Sequence, residues 1–194
     1  MSAAEGIETP LLLAAMPQVH DPFFHQSVVL LVHHNDEEGS FGLIVNRPTE
    51  LKIADILEGM KIGWGGSPDA LAYFGGPVQP QLGTVIYGGD DRTEKLSAAS
   101  EVFPGIGTTQ HYRDLELLAH RPPARIRLVL GYAGWGEEQL LGEILRNDWV
   151  TAPVKADLIF PTEPETAWET TLRSVGFDPA SLPSWTPDPD SSAN

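Results

Sequence analysis

The chain contains no cysteine, few basic residues and no long apolar run. Without cysteine there is no disulfide, no thiolate metal site, no iron–sulfur cluster and no cysteine nucleophile. Only 12 lysine and arginine residues stand against 27 aspartate and glutamate residues, so the formal net charge is −15. Because proteins that bind nucleic acid neutralise phosphates with clustered basic side chains, this balance argues against direct binding to DNA or RNA.

Segments that would address the chain to a membrane are also missing from the sequence. No run of about 18 apolar residues is present, and the first residues show neither the basic segment nor the apolar core of a signal peptide. We therefore expect a cytoplasmic protein without membrane contact. The 194 residues, 41% of them apolar, suffice for one domain with its own core.

The clearest local pattern predicts a β-hairpin. Ser27–His33 is continuous, apolar and β-branched, which is typical of a strand buried on both faces. A polar loop over residues 35–39 follows, and Phe41–Asn46 forms the returning strand. A short apolar run, Leu11–Ala15, predicts a further buried strand before the hairpin.

The remaining elements are short and mixed in order. Apolar spacing predicts helices around residues 53–60, 112–118, 137–147 and 164–175, and strands over residues 70–74, 83–87, 125–131 and 154–160. Residues 88–107 are expected to be rich in loops, and the glycines of residues 131–136 predict a tight crossing from strand to helix. We expect an α+β or mixed α/β fold, with a flexible N-terminus (1–10), one domain (11–182) and a disordered acidic tail rich in proline and serine (183–194).

Three segments resemble the signatures of the YqgE/AlgH family of small bacterial proteins. They are AMPQVHDPFFHQSVVLLVHHN with GSFGLIVNRP (residues 15–35 and 39–48), GGPV (75–78) and GYAGWGEEQL (131–140). The resemblance runs from about Leu11 to Asp178. It implies a bent, bifurcated β-sheet that approaches a pseudo-barrel and is flanked by helices.

The same resemblance brings no catalytic mechanism, because the family has no assigned molecular function. The label of transcriptional regulator that some relatives carry comes from a branch named for the control of alginate synthesis. Many relatives have a cysteine where this chain has Val32, so a thiol-based role proposed for them does not apply here. We expect a protein that is not an enzyme, needs no cofactor, and influences transcription at most indirectly.

The three segments predict a polar cleft that binds a small ligand or a protein partner. Each combines turn-forming glycine with polar side chains, which is typical of a site built from loops. Candidate lining residues are His34, Asn46, Arg47, Gly75, Gly76, Tyr132, Gln139 and Glu143.

Two of these candidates allow more than one interpretation. Arg47 has the geometry to bind a carboxylate or phosphate with two hydrogen bonds, or to pair with Glu50 or the acidic hairpin loop. Gln139 and Glu143 lie four residues apart on one helix face, where they line a pocket or bond a neighbouring loop.

A hydrolase is the alternative function, with Ser27 as nucleophile beside His34 and Asp21, or with a water activated by His34. Against it, Ser27 lacks the Gly-x-Ser-x-Gly elbow that exposes a nucleophile, so its hydroxyl is expected to bond the turn backbone. The six histidines do not show metal-ligand spacing, and no metal site is expected. Arg121, Arg125 and Arg127 are interpreted as a solvated strand edge.

Overall fold

The computed structural model describes residues 7–35, 37–91, 93–160 and 163–182. Residues 1–6 of the predicted N-terminal segment and the whole predicted tail lie outside this part of the chain. The strands are β1 (Leu11–Ala15), β2 (Val28–Asn35), β3 (Gly39–Ile44), β4 (Pro48–Lys52), β5 (Leu71–Phe74), β6 (Val78–Gly88), β7 (Ser100–Phe103), β8 (Ile106–Thr109), β9 (Ile126–Trp135) and β10 (Trp149–Ala152). The helices are α1 (Ile53–Gly59), α2 (Tyr112–His120), α3 (Gln139–Leu145), α4 (Ala156–Ile159) and α5 (Ala167–Ser174).

The strands join into one curled sheet that forms an antiparallel half-barrel. Its main path runs β10-β1-β2-β3-β9-β6-β8-β7, and β4 and β5 lie off this path. All pairs are antiparallel except β5 with β9. The N-terminal strand β1 sits inside the sheet, where Leu12 lies opposite Leu30 of β2 and Ala152 of β10.

The sheet divides at β9. Along one edge of this strand, β5 pairs with Val129 and Leu130, whereas β3 pairs with residues 133–135. The other edge of β9 pairs with β6 over most of its length. The expected single domain with a bent, bifurcated sheet and mixed α+β composition is therefore confirmed.

Two layers of apolar side chains cover opposite faces of β1 and β2. Leu12 and Leu30 belong to one cluster, which α4 and α5 close with Ile159 and Leu172 among others. Leu13, Val29 and Leu31 belong to a second cluster on the other face, because successive strand residues point to opposite sides. The prediction that the first strand of the hairpin, β2, is buried on both faces is confirmed.

A third apolar cluster lies beneath α1 and α2. It combines Ile53 and Leu57 of α1 with Leu118 of α2 and Leu128 of β9. The predicted helices around residues 53–60 and 112–118 are both confirmed. None of the helices within the described residues is long and apolar enough to cross a membrane.

Two predicted elements are wrong, and a third prediction holds in part. Residues 154–160 are not a strand: β10 ends at Ala152, just before Pro153, which has no N–H to donate to a strand ladder, and α4 begins at Ala156 and packs Leu158 and Ile159 into the first cluster. The prediction that residues 88–107 are rich in loops holds for the described residues between 89 and 99, which belong to no helix or strand, but the segment also contains β7 and the start of β8, joined by a turn in which Gly105 has φ +76°. Residues 131–135 continue β9 instead of leaving the sheet.

Candidate functional site

Asn46 ties the segment before β2 to the segment after β3. Its Oδ1 accepts the N–H of Val28 at 2.8 Å, and its Nδ2 donates to the carbonyl of Gln26 at 3.0 Å. Both polar ends of the side chain thus have partners inside the protein. Asn46 fixes the start of β2 and, with it, the turn over residues 21–26.

Arg47 holds the same turn from the other side. Its guanidinium donates to the carbonyls of Pro22 at 2.8 Å, Phe23 at 2.6 Å and His25 at 2.5 Å. Burial lowers the pKa of Arg47, and the nearby Asp21 carboxylate opposes that shift. The alternative in which Arg47 pairs with Glu50 or the hairpin loop does not hold among the described residues. Anion binding by its remaining N–H groups stays a prediction.

Gly75 and Gly76 lie at the point where the sheet divides. The Gly75 N–H donates to the carbonyl of Leu130 at 2.7 Å, and its own carbonyl accepts the N–H of Ile44 at 2.9 Å. Gly76 has φ +152°, and a Cβ there would lie 2.1 Å from the carbonyl carbon of Tyr132. Only glycine fits this close approach of two backbones. The Tyr132 ring lies 4.9 Å from that of Phe41.

The predicted set of Ser27, His34 and Asp21 is not formed. Ser27 is fully buried, and its hydroxyl has no hydrogen-bond partner among the described residues, so it does not bond the turn either. Nδ1 of His34 lies 2.7 Å from Oγ of Ser40, a pairing that the sequence did not indicate. Asp21 accepts the N–H of Phe23 at 2.8 Å and so caps the turn, as expected.

Glu143 is the centre of a hydrogen-bond network at the start of α3. Its Oε2 accepts both indole N–H groups, from Trp135 and from Trp149, each at 2.8 Å. Its Oε1 accepts the side-chain amide of Gln139 at 2.9 Å, and Oε1 of Gln139 accepts the N–H of Gly136 at 3.0 Å. The predicted contact between Gln139 and Glu143 is present.

Three aromatic rings meet above this carboxylate. Trp135 and Trp149 pack edge to face with ring centroids 5.8 Å apart. Phe24, from the turn that Arg47 holds, lies 5.8 Å from Trp149 and 6.3 Å from Trp135. Strand β9, strand β10 and the 21–26 turn each supply one ring.

The network and the rings bound a cavity of about 340 Å³, which we call the tryptophan cavity. This volume falls within the range of small-molecule sites. Both indoles are buried in its floor, whereas Gln18, His20, Asp21 and Gln139 form an exposed rim. Its lining residues are Gln18, Val19, His20, Asp21, Phe24, Gly134, Trp135, Gln139, Glu143, Asp148 and Trp149.

A second cavity of about 440 Å³ lies on another part of the sheet. Hydroxyl and amide side chains dominate its polar lining, and Phe41 contributes an aromatic wall. Its lining residues are Val32, Phe41, Leu43, Thr84, Ala98, Ser100, Thr108, Thr109, Gln110 and His111. None of the eight predicted cleft residues lines it, although Tyr132 packs behind Phe41.

Gln139 and Glu143 are thus the two predicted cleft residues that line the tryptophan cavity. Asn46 and Arg47 do not line the cavity but position the turn that carries its lining residue Phe24. The other four predicted residues are not among the residues that line the cavity: His34, Gly75, Gly76 and Tyr132. Sequence reasoning missed the two tryptophans and the 18–21 segment. Two tryptophans on either side of the Gln139–Glu143 helix were the available signal.

The arginines near the start of β9 do not form a solvated strand edge. Arg127 is buried in the centre of the sheet, where its Nε donates to the carbonyl of Ile159 at 3.0 Å and its guanidinium lies 4.0 Å above the Tyr73 ring. Burial lowers the pKa of Arg127, and contact with Tyr73 opposes that shift. Arg125 remains at the surface, paired with Asp157 at 3.0 Å.

In the part of the chain that the structure describes, no three His, Cys, Asp or Glu side chains lie close enough together to hold a metal ion.

Comparison with known proteins places the chain within one family. The family model described as AlgH-like, DUF179, matches residues 12–180. A UPF0301 protein of Myxococcus xanthus is 41% identical over 174 residues, covering 89% of this chain and 93% of the relative. A UPF0301 protein of Jannaschia sp. is 39% identical over 180 residues, covering 91% and 92%.

Two solved structures are similar to this one. The solution structure of the AlgH protein from Pseudomonas aeruginosa superposes with a TM-score of 0.71 at 31% identity, covering 89% of this chain and 93% of that one. The crystal structure of protein DIP2367 from Corynebacterium diphtheriae also gives a TM-score of 0.71, at 21% identity and 89% coverage of both chains. The second likeness concerns the fold alone.

Proposed function

The chain belongs to the AlgH-like family, DUF179, and from this premise we propose that it is a non-catalytic protein that binds a small ligand in the tryptophan cavity. The observation that carries the proposal is the Glu143 network. A carboxylate with three N–H donors lies in a concave site of ligand size between two buried indoles. Such preorganised polar groups within apolar walls are typical of small-molecule sites.

The construction around the cavity supports the same proposal. Asn46 and Arg47 use five hydrogen bonds to fix the turn that presents Phe24 and the rim residue Asp21. A rigid frame under a mobile or irregular segment is how folds commonly position binding loops. The first and third family signatures therefore converge on one place.

Binding without turnover is the form of the function that we favour. Among the described residues that line the cavity there is no serine, threonine, cysteine or lysine; of the side chains that can act as nucleophiles, it holds three carboxylates and His20. Ser27, the nucleophile of the hydrolase alternative, is fully buried. A water activated by His34 stays a separate prediction, since His34 does not line this cavity.

We further propose that the protein acts in the cytoplasm and that any effect on transcription passes through the ligand or a protein partner. The net charge of −15 disfavours direct contact with the nucleic-acid backbone.

A ligand screen tests the proposal. Tryptophan emission is followed while the protein is titrated with a mixed panel of anionic, neutral and cationic metabolites, because a ligand in the cavity contacts Trp135 and Trp149. Gln139→Ala removes one lining side chain and is expected to weaken binding about tenfold, the loss of roughly one good hydrogen bond. Leu145→Ala, on the same helix but 74% exposed, serves as the matched control.

Two outcomes contradict the proposal. One is that no member of the panel changes the emission or the melting temperature. The other is turnover of a bound molecule, measured on ester and phosphoester panels. Loss of that turnover in His34→Ala would establish the hydrolase alternative instead.

A further inference from the structure

The geometry points to a cationic ligand: we propose that the tryptophan cavity takes a small molecule with an alkylammonium or quaternary ammonium group. This inference rests on the proposed function and names the chemical class of its ligand. Three features carry it: the three carboxylates that line the cavity, the absence of arginine and lysine among the described lining residues, and the aromatic residues of the floor.

Among the described residues, the Glu143 carboxylate has no cationic hydrogen-bond partner. Its three hydrogen-bond donors, the indoles of Trp135 and Trp149 and the amide of Gln139, are all neutral. A carboxylate offers about four acceptor positions, and Oε1 accepts one bond where it has room for two. One acceptor position therefore remains on the wall of the cavity.

Two further residues with carboxylates, Asp148 and Asp21, line the same cavity. Oδ2 of Asp148 pairs with Arg146 at 3.1 Å and Oδ1 of Asp21 accepts the N–H of Phe23. Within the described residues, no hydrogen bond reaches Oδ1 of Asp148 or Oδ2 of Asp21. We expect Asp148 to attract a cation more strongly than Asp21 does, because the Asp148 side chain is only 25% exposed. Asp21 lies on the solvated rim, where water and salt screen its charge.

Basic side chains approach these carboxylates only from outside the cavity. Arg146 pairs with Asp148, and Arg47 lies near Asp21 while its guanidinium bonds three carbonyls. Neither arginine lines the cavity, and no lysine is found among its described lining residues. Three carboxylates, those of Asp21, Glu143 and Asp148, thus line the cavity against one histidine, His20, on its exposed rim.

An anionic ligand would find few donors here. Phosphate and carboxylate ligands need N–H groups or basic side chains. Both indole N–H groups and one of the two N–H groups of the Gln139 amide already donate to Glu143. An alkylammonium ligand, by contrast, brings N–H donors to these carboxylates, and a quaternary ammonium ligand, which has no N–H, is attracted by their charge alone.

The aromatic residues in the floor of the cavity also favour a positively charged ligand. Faces of tryptophan and phenylalanine rings carry negative potential and attract ammonium groups within about 6 Å of the ring centre, and groups of such rings recognise quaternary ammonium ligands. Trp135, Trp149 and Phe24 lie within 6.3 Å of one another. All three residues line the cavity, so an ammonium group bound there lies against aromatic surface.

The decisive experiment compares ligands of equal shape and different charge. Choline and its neutral carbon isostere 3,3-dimethyl-1-butanol are titrated by calorimetry and tryptophan fluorescence, with n-butylammonium as a primary amine and acetate as an anion. We expect choline or n-butylammonium to bind at least tenfold more tightly than the neutral isostere and acetate. A peptide carrying trimethyllysine distinguishes a small free ligand from the methylated lysine side chain of a protein partner. We expect this peptide to bind more weakly than free choline.

Variants locate the effect in the cavity. Asp148→Asn removes one lining charge and leaves the Glu143 network intact, so choline affinity should fall about tenfold. Asp157→Asn loses an Arg–Asp pair of similar length, 3.0 Å, on an 89% exposed side chain outside the cavity, and should leave affinity unchanged. Trp149→Phe keeps an aromatic ring and should weaken binding severalfold.

The outcomes separate this inference from the proposed function. Binding of the neutral isostere or of acetate as tight as that of choline overturns the inference and leaves a ligand-binding cavity in place. Equal loss of choline affinity in Asp148→Asn and Asp157→Asn also overturns it, since binding would then follow general surface charge. If neither these probes nor the mixed panel bind, the proposed function fails with it.

Discussion

At Glu143 a single carboxylate organises side chains from three elements. It joins Gln139 of α3 to Trp135 of β9 and Trp149 of β10. Indole N–H groups that are buried need acceptors, because leaving one without a partner costs about 1–3 kcal/mol. The residue therefore has a structural role in the cavity in addition to its charge.

We expect Glu143→Ala to destabilise the protein by about 3 kcal/mol, since two indole N–H groups and one amide lose their acceptor. Urea unfolding measures the change, and tryptophan emission should shift to longer wavelength as the rings loosen. Glu137→Ala, two residues before α3 and exposed, should change stability by less than about 0.5 kcal/mol. Equal stability of the two variants would show that the indoles find other acceptors.

At the scale of the element, α2 is anchored by one buried carboxylate in its first turn. Asp114 accepts the N–H groups of Ser97 and Ala98, both at 2.9 Å, and the hydroxyl of Thr109 at 3.2 Å. Burial would raise the pKa of Asp114, but these hydrogen bonds hold it below its ordinary value. The anchor joins α2 to the segment before β7 and to the end of β8.

The lowered pKa of Asp114 predicts how stability depends on pH. The stabilisation is complete above the pKa of the unfolded chain, about 3.9, and is lost as the pH falls through the lower pKa of the folded state. Urea unfolding between pH 7 and pH 3 should show Asp114→Asn less stable than wild type at pH 7, with the difference shrinking below about pH 4. As a control, the free energy of unfolding of Asp157→Asn, a substitution at an exposed side chain, should depend on pH in the same way as that of wild type.

Elements with a single strong periodicity could be predicted from the sequence, and those defined by partners could not. The apolar run of β2 and the spacing of Ile53 and Leu57 in α1 depend only on neighbours along the chain. By contrast, β9 continues through Gly131 and Gly134 because β6 and β3 approach it there. Glycine signals a turn when read alone, but here it allows two backbones to come together.

The candidate site could also be predicted only in part, for the same reason. The contact between Gln139 and Glu143 follows from helix geometry and was predictable. Asn46 and Arg47 were predicted as ligand contacts, but their hydrogen bonds go to the turn over residues 21–26. The convergence of Phe24 with Trp135 and Trp149 depends on the order of strands in the sheet, which local sequence does not encode.

At the scale of the whole molecule, the charge of −15 decides which partners approach. A field of one sign repels polyanions and raises the local concentration of cations. Of the arginines at the start of β9, Arg127 is buried and Arg125 is paired with Asp157, so neither offers a free charge to a phosphate backbone.

We therefore expect no binding to duplex DNA in an electrophoretic shift assay at roughly 50 mM salt, the condition that most favours non-specific contacts. Adding the ligand found by the screen should not change this result. Binding that weakens steeply as salt is raised would contradict the prediction and would favour direct contact with DNA.

The position of β1 has a consequence for how the chain is made. This strand lies between β2 and β10, and its partner in β10 is synthesised only near the end of the described chain. During translation, the edge of β1 that pairs with β10 therefore remains unpaired while about 130 further residues are synthesised. We expect the nascent chain to depend on holding factors at the ribosome, and the finished domain to fold in a late, concerted step once residues 149–152 arrive.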